Sequence, residues 1–139
     1  MRDAAPRGTL LHAGNKPMKL LIVEENPGLR RLLLSLLGER GDEIRACAEG
    51  TEALSLCALE QPDWVVMDLN LARADAFSLT RQIRRICPQT RVLLVADEDD
   101  ARLRERATQA GAAHLITKDW LIKLPLLIPP PEGQWTAKN

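Results

Sequence analysis

From Lys19 onward, short runs of continuous apolar residues alternate with stretches where apolar residues return every three or four positions. Leu20–Val23, Trp64–Met67 and Val92–Val95 are apolar throughout, which predicts strands buried on both faces. Two weaker runs, Ile44–Ala48 and Ala113–Thr117, predict two further strands. The first helix is predicted to start at Asn26-Pro27, a side-chain cap followed by a proline suited to the first turn. Leu29, Leu32, Leu33, Leu36 and Leu37 then repeat at helical spacing up to Gly41. Thr51–Leu59, Phe77–Ile86 and Ala101–Ala110 predict three more helices, the last two stopped by Pro88 and Gly111.

Five strand–helix alternations predict an α/β fold, a doubly wound five-stranded parallel sheet with helices on both faces. Right-handed crossovers leave few windings, of which the flavodoxin-like order 2-1-3-4-5 is chosen. A fifth helix begins at Asp119, but Pro125 interrupts it, so it is predicted to be short or displaced. Residues 1–17 read as a flexible extension, with Met18 a second candidate start. Residues 18–124 read as the domain, and residues 125–139 as a Pro-rich polar tail.

Composition narrows the function classes. Lys and Arg number 19, as do Asp and Glu, so bulk charge gives no grip on nucleic acid, and no basic run points to a membrane surface. No apolar run approaches the roughly 20 residues needed to span a bilayer, and the start lacks a secretory apolar core. Cys47, Cys57 and Cys87 form no CxxC pair. They read as free buried thiols in a reducing cytoplasm.

In an open parallel sheet, ligands bind at the carboxyl ends of the strands where the strand order reverses. The first strand runs into Glu24-Glu25, the third into Asp68, the fourth into Ala96-Asp97 and the fifth into Lys118-Asp119. Carboxylates brought together in that crevice repel one another, and a hard divalent cation relieves the repulsion. Mg²⁺ suits such a site because it binds through one or two carboxylates and keeps waters for a phosphate. Lys118 supplies a point charge for a phosphoryl oxygen, and Asp68 a nucleophile.

The order VEEN, PDWVVMDLNL, RVLLVAD and GAAHLITKD resembles the receiver domains of bacterial two-component response regulators over about Lys19 to Leu124. The resemblance implies that Asp68 is the phosphoacceptor and that Lys118 contacts the phosphoryl group. It also implies that Glu24 and Glu25 hold Mg²⁺ together with Asp68 and the backbone carbonyl of Asn70. The partners implied are a sensor histidine kinase or phosphotransfer protein, and a downstream protein on the face of the fourth helix, fifth strand and fifth helix. No output domain is expected after the tail, so the output would pass through a partner in the cytoplasm.

This chain departs from the family pattern at several positions. Both residues of the acidic pair are Glu, where the family usually has at least one Asp. Ala96 stands where the family has a Thr or Ser, and Leu115 where it has an aromatic, so both switch positions are changed. Leu71-Ala72-Arg73-Ala74-Asp75 replaces the usual Pro and Gly after the acceptor. A pseudo-receiver that binds partners without phosphorylation is therefore the alternative. A Mg²⁺-dependent phosphohydrolase would want an acid two residues after Asp68, where Asn70 stands, so no enzyme is expected. A dinucleotide site fails because no glycine-rich turn follows the first strand.

Overall fold

The apolar runs become the strands of one sheet. The computed structural model describes residues 17–40 and 42–129. The elements are β1 (Lys19–Val23), α1 (Pro27–Leu37), β2 (Glu43–Cys47), α2 (Gly50–Glu60), β3 (Trp64–Asp68), α3 (Ala76–Ile86), β4 (Arg91–Ala96), α4 (Ala101–Ala110), β5 (His114–Thr117) and α5 (Leu124–Leu127). A 3₁₀ turn, Gly38–Arg40, follows α1, and another, Lys118–Lys123, links β5 to α5. All pairings are parallel, in the order β2-β1-β3-β4-β5. The expected fold class and winding are observed.

Alternation along the strands sorts the core into two layers. Leu21, Val23, Val65, Met67, Val92 and Leu94 pack with Ala53, Phe77, Leu79, Ile83 and Ala107 on the side of α2, α3 and α4. Leu20, Ile22, Trp64, Val66, Leu93 and Val95 pack with Leu33, Leu37, Leu121, Leu124 and Ile128 on the side of α1 and α5. The three thiols are free and buried, and burial pushes that of Cys57 up to about 12.

Local chemistry explains where the helices start and stop. Asn26 caps α1 by accepting the Leu29 amide at 3.0 Å. Asp75 and Asp100 cap α3 and α4 in the same manner. Gly111 ends α4 at φ +98°, a backbone conformation that a side chain would strain. At the start of α2 a methyl group on Gly50 would stand 2.6 Å from Leu79 Cδ1, so the glycine lets α2 close on α3.

The end of the domain differs in detail from the pattern. Pro125 lies in the first turn of α5, where its missing amide costs no hydrogen bond, so it opens this short helix. Packing extends past Leu124, because Leu127 and the fully buried Ile128 join the α1-side layer. Arg40 accounts for this anchoring. Its guanidinium donates to the carbonyls of Pro125 at 3.3 Å, Ile128 at 2.7 Å and Pro129 at 2.6 Å. It also pairs with the buried Asp42 at 3.0 Å. Of the expected extension at residues 1–17 and tail at residues 125–139, residues 1–16 and 130–139 lie outside the described residues, as does the helix stop at Gly41. No helix among the described residues is long and apolar enough to cross a membrane.

Candidate functional site

The winding puts β1 and β3 side by side, and the crevice at their carboxyl ends is where the candidate residues gather. Asp68 is the last residue of β3 and is buried. Its Oδ1 accepts the Asn70 amide at 2.9 Å, which turns the chain sharply out of the strand. Its Oδ2 lies 3.6 Å from Lys118 Nζ, at the end of β5.

Glu24 directly follows β1, and its side chain is only 3% exposed. Its Oε2 accepts the Asn26 amide at 3.0 Å, and the Asp68 carboxyl group is its acidic neighbour. Burial, with Asp68 adding to it, pushes Glu24 up to about 7, against the Asn26 amide and Lys118. Burial and the neighbouring negative charge thus favour the protonated form of Glu24.

Glu25 is placed differently from its neighbour. Its Oε2 accepts the Ala72 amide at 2.7 Å, so this carboxylate fastens the loop between β3 and α3. Arg30, one turn into α1, donates to the carbonyls of Glu24 at 2.7 Å and Glu25 at 3.4 Å and fixes the exit of β1. Nothing in the spacing of the sequence marks Arg30 or the Ala72 amide for these tasks.

Lys118 has two acidic neighbours. Besides Asp68 it contacts Asp97, with Nζ 2.7 Å from Oδ1. The hydrogen bond that Lys118 donates to Asp97 is the main reason its ammonium is held above the usual lysine range. The other oxygen of Asp97 accepts the Asn70 side-chain amide at 2.7 Å. Ala96 is buried at the end of β4, in register with Thr117, and presents only a methyl group to the crevice. The Thr117 hydroxyl is bonded to Asp119. Leu115 is half-buried and packs against the α4-side layer.

Among the described residues, no group of three or more His, Cys, Asp or Glu side chains could hold a metal by itself. Glu24 and Asp68 remain an oxygen-only pair whose mutual repulsion a cation would relieve. That donor set fits Mg²⁺, which needs one or two protein carboxylates and completes its shell with water.

Comparison with known proteins agrees with this fold. Residues 20–124 match the family described as the response regulator receiver domain. The transcriptional activator protein ExaE of Pseudomonas putida is 34% identical over 103 residues, which are 73% of this chain and 48% of ExaE. The sensor histidine kinase RcsC of Escherichia coli is 28% identical over 116 residues, 84% of this chain and 12% of RcsC. Among solved structures, the Vibrio cholerae chemotaxis protein CheY4 superposes with a TM-score of 0.74 at 21% identity, covering 82% of this chain and 100% of that one. This chain thus spans about half of the curated activator and about an eighth of the kinase.

Proposed function

The chain belongs to the response regulator receiver domain family, and on that premise we propose that it accepts a phosphoryl group on Asp68 from a sensor histidine kinase or phosphotransfer protein. Receiver domains are in general signalling modules of two-component systems, and this chain is read as a signalling module without enzymatic activity of its own. The observation that carries the reading is the buried Asp68 carboxylate, beside the buried Glu24 of the neighbouring strand exit and 3.6 Å from Lys118.

In the transfer, an Asp68 oxygen attacks the phosphorus of a phosphohistidine. The P–N bond breaks, its electron pair stays on the imidazole, and a new P–O bond forms on Asp68. Glu24, Asp68 and the Asn70 carbonyl would hold Mg²⁺, and Glu25 belongs to the same acidic pair by family correspondence. The ion supplies positive charge against the three phosphoryl oxygens as the transfer proceeds. Lys118 meets one of those oxygens, and the Asn70 amide keeps Asp68 aimed out of the strand. Glu24 must give up its proton for the pocket to take the cation, so occupancy would rise with pH.

The signal would leave through a downstream protein on the face of α4, β5 and α5, in the cytoplasm. Trp120, Ile122 and Leu126 present exposed apolar side chains just after β5, which suits a protein partner. A second reading is favoured by Ala96, whose methyl cannot bond a phosphoryl oxygen: a pseudo-receiver whose partner binding ignores phosphorylation. Incubation with acetyl phosphate and Mg²⁺, followed by intact mass measurement, separates the two. One added phosphoryl group that Asp68→Asn abolishes supports the first reading, and an unchanged mass supports the second.

A further inference from the structure

Asp97 is engaged at both oxygens by residues of the site described above. Oδ1 takes the Lys118 ammonium at 2.7 Å, and Oδ2 takes the Asn70 side-chain amide at 2.7 Å. A solvated strand-end carboxylate would leave both oxygens to water. Two of its neighbours on the acidic loop are committed elsewhere. Asp99 pairs with Arg104 at 3.0 Å, and Asp100 caps α4 through the Arg102 amide at 2.8 Å. Asp97 thus brings its charge to the pocket, and it sits closer to Lys118 than Asp68 does.

We propose that Asp97 is a resident competitor for Lys118, a positioning residue that must release the ammonium before it can serve an incoming phosphoryl group. The proposal rests on Asp68 being the acceptor. In the resting pocket one lysine faces Asp68 and Asp97, with Glu24 behind them. A phosphoryl donor adds further negative charge, and part of the lysine's attraction for it is already spent on Asp97. The pair is displaceable because both side chains are open to water, Asp97 at 59% and Lys118 at 36%, where such pairs are weak and screened. A phosphoryl group of nearly two charges outbids a single carboxylate. The result is a slow resting state and a lysine that changes partner on modification.

The test uses the full 139-residue chain, because Asp97 is exposed and its replacement leaves the core intact. Phosphoryl uptake from acetyl phosphate with Mg²⁺ is followed by mass for the wild type, Asp97→Asn and Asp97→Ala. In parallel, labelling of Lys118 by an amine reagent is quantified by peptide mapping at alkaline pH. Both variants are expected to take up the phosphoryl group roughly two- to fivefold faster, the size of an exposed ion pair. Lys118 should label faster in both, since loss of the 2.7 Å contact with Asp97 uncovers its amine. Uptake at the wild-type rate, or unchanged labelling of Lys118, overturns the proposal and leaves Asp68 as acceptor. No uptake by any of the three proteins overturns the acceptor reading, and the competitor with it.

Discussion

Glu24 and Asp68 leave neighbouring parallel strands at the same level, and the two buried carboxyl groups face one crevice. Because Glu24 is raised from 4.5 to about 7 in the fold, the folded state binds its proton more tightly than the unfolded chain does. The associated stability is present below the unfolded value and is lost as pH rises toward the folded one. Between pH 4.5 and 7 the wild type should lose about 1–3 kcal/mol relative to Glu24→Gln without divalent cation. Urea midpoints of the two proteins at pH 5 and pH 8 check this. Parallel pH profiles would show that Glu24 is not the group responsible.

Metal affinity should answer to side-chain length. An extra methylene in each acid moves the carboxylate relative to an octahedral ion that tolerates little error. Replacing Glu24 and Glu25 together by Asp should tighten Mg²⁺ binding at least about threefold. Trp120, exposed and two residues from Lys118, is the closer optical probe, whereas Trp64 is buried at the far end of β3 beside Arg91 and His114. Unchanged or weaker binding would count against the length argument. Loss of binding only with Glu25→Asp would point to the Ala72 contact.

The switch should be muted. A ligand shifts a two-state equilibrium only by its differential affinity for the states. A hydroxyl bonded to a phosphoryl oxygen is worth on the order of 1.5–3 kcal/mol, enough to move a balanced equilibrium about tenfold or more. Ala96 lacks that term. With beryllofluoride, amide shifts should stay near Asp68 and fade before Leu103, Leu115 and Leu121. Ala96→Thr has an open groove to fill, bordered by Leu69, Asn70 and Leu103, and should carry the shifts outward. Large shifts at Leu115 in the wild type would sink the idea.

Arg40→Ala should destabilise the domain by about 2–4 kcal/mol, because it strips a buried carboxylate of its partner and frees three carbonyls. Chemical denaturation measures the loss. Asp42→Asn should cost less than Arg40→Ala, since the bonds from Arg40 to Pro125, Ile128 and Pro129 remain. Equal costs would mean that the ion pair carries the whole effect.

Which parts of this molecule were legible in its sequence follows from which forces act locally. Strands buried on both faces must be apolar throughout, so β1, β3 and β4 stand out, and Asp68 is visible as the polar residue that ends one of them. The cap Asn26 is visible because a cap binds an amide two or three residues away. The partners chosen across loops are not visible in this way. That Glu25 binds the Ala72 amide and Asp97 takes Lys118 depends on backbone paths that no periodicity encodes. Pro125 reads as a breaker when only its own helix is considered. It serves as an opener because Arg40 and the buried Ile128 hold the following turn.

The Arg40 clamp also orders events in time. It ties the turn after α1 to carbonyls 85, 88 and 89 residues further on, so its loop closes only when nearly the whole chain is available. As the chain leaves the ribosome, α2, α3 and α4 can cover one face of the sheet, while Leu33 and Leu37 wait for Leu121, Leu124 and Ile128. In pulse-labelled refolding, amides of α3 and β4 should gain protection before those of α1 and α5. For that interval the nascent domain shows one finished side and one greasy side, and the latter is where a chaperone would find its grip.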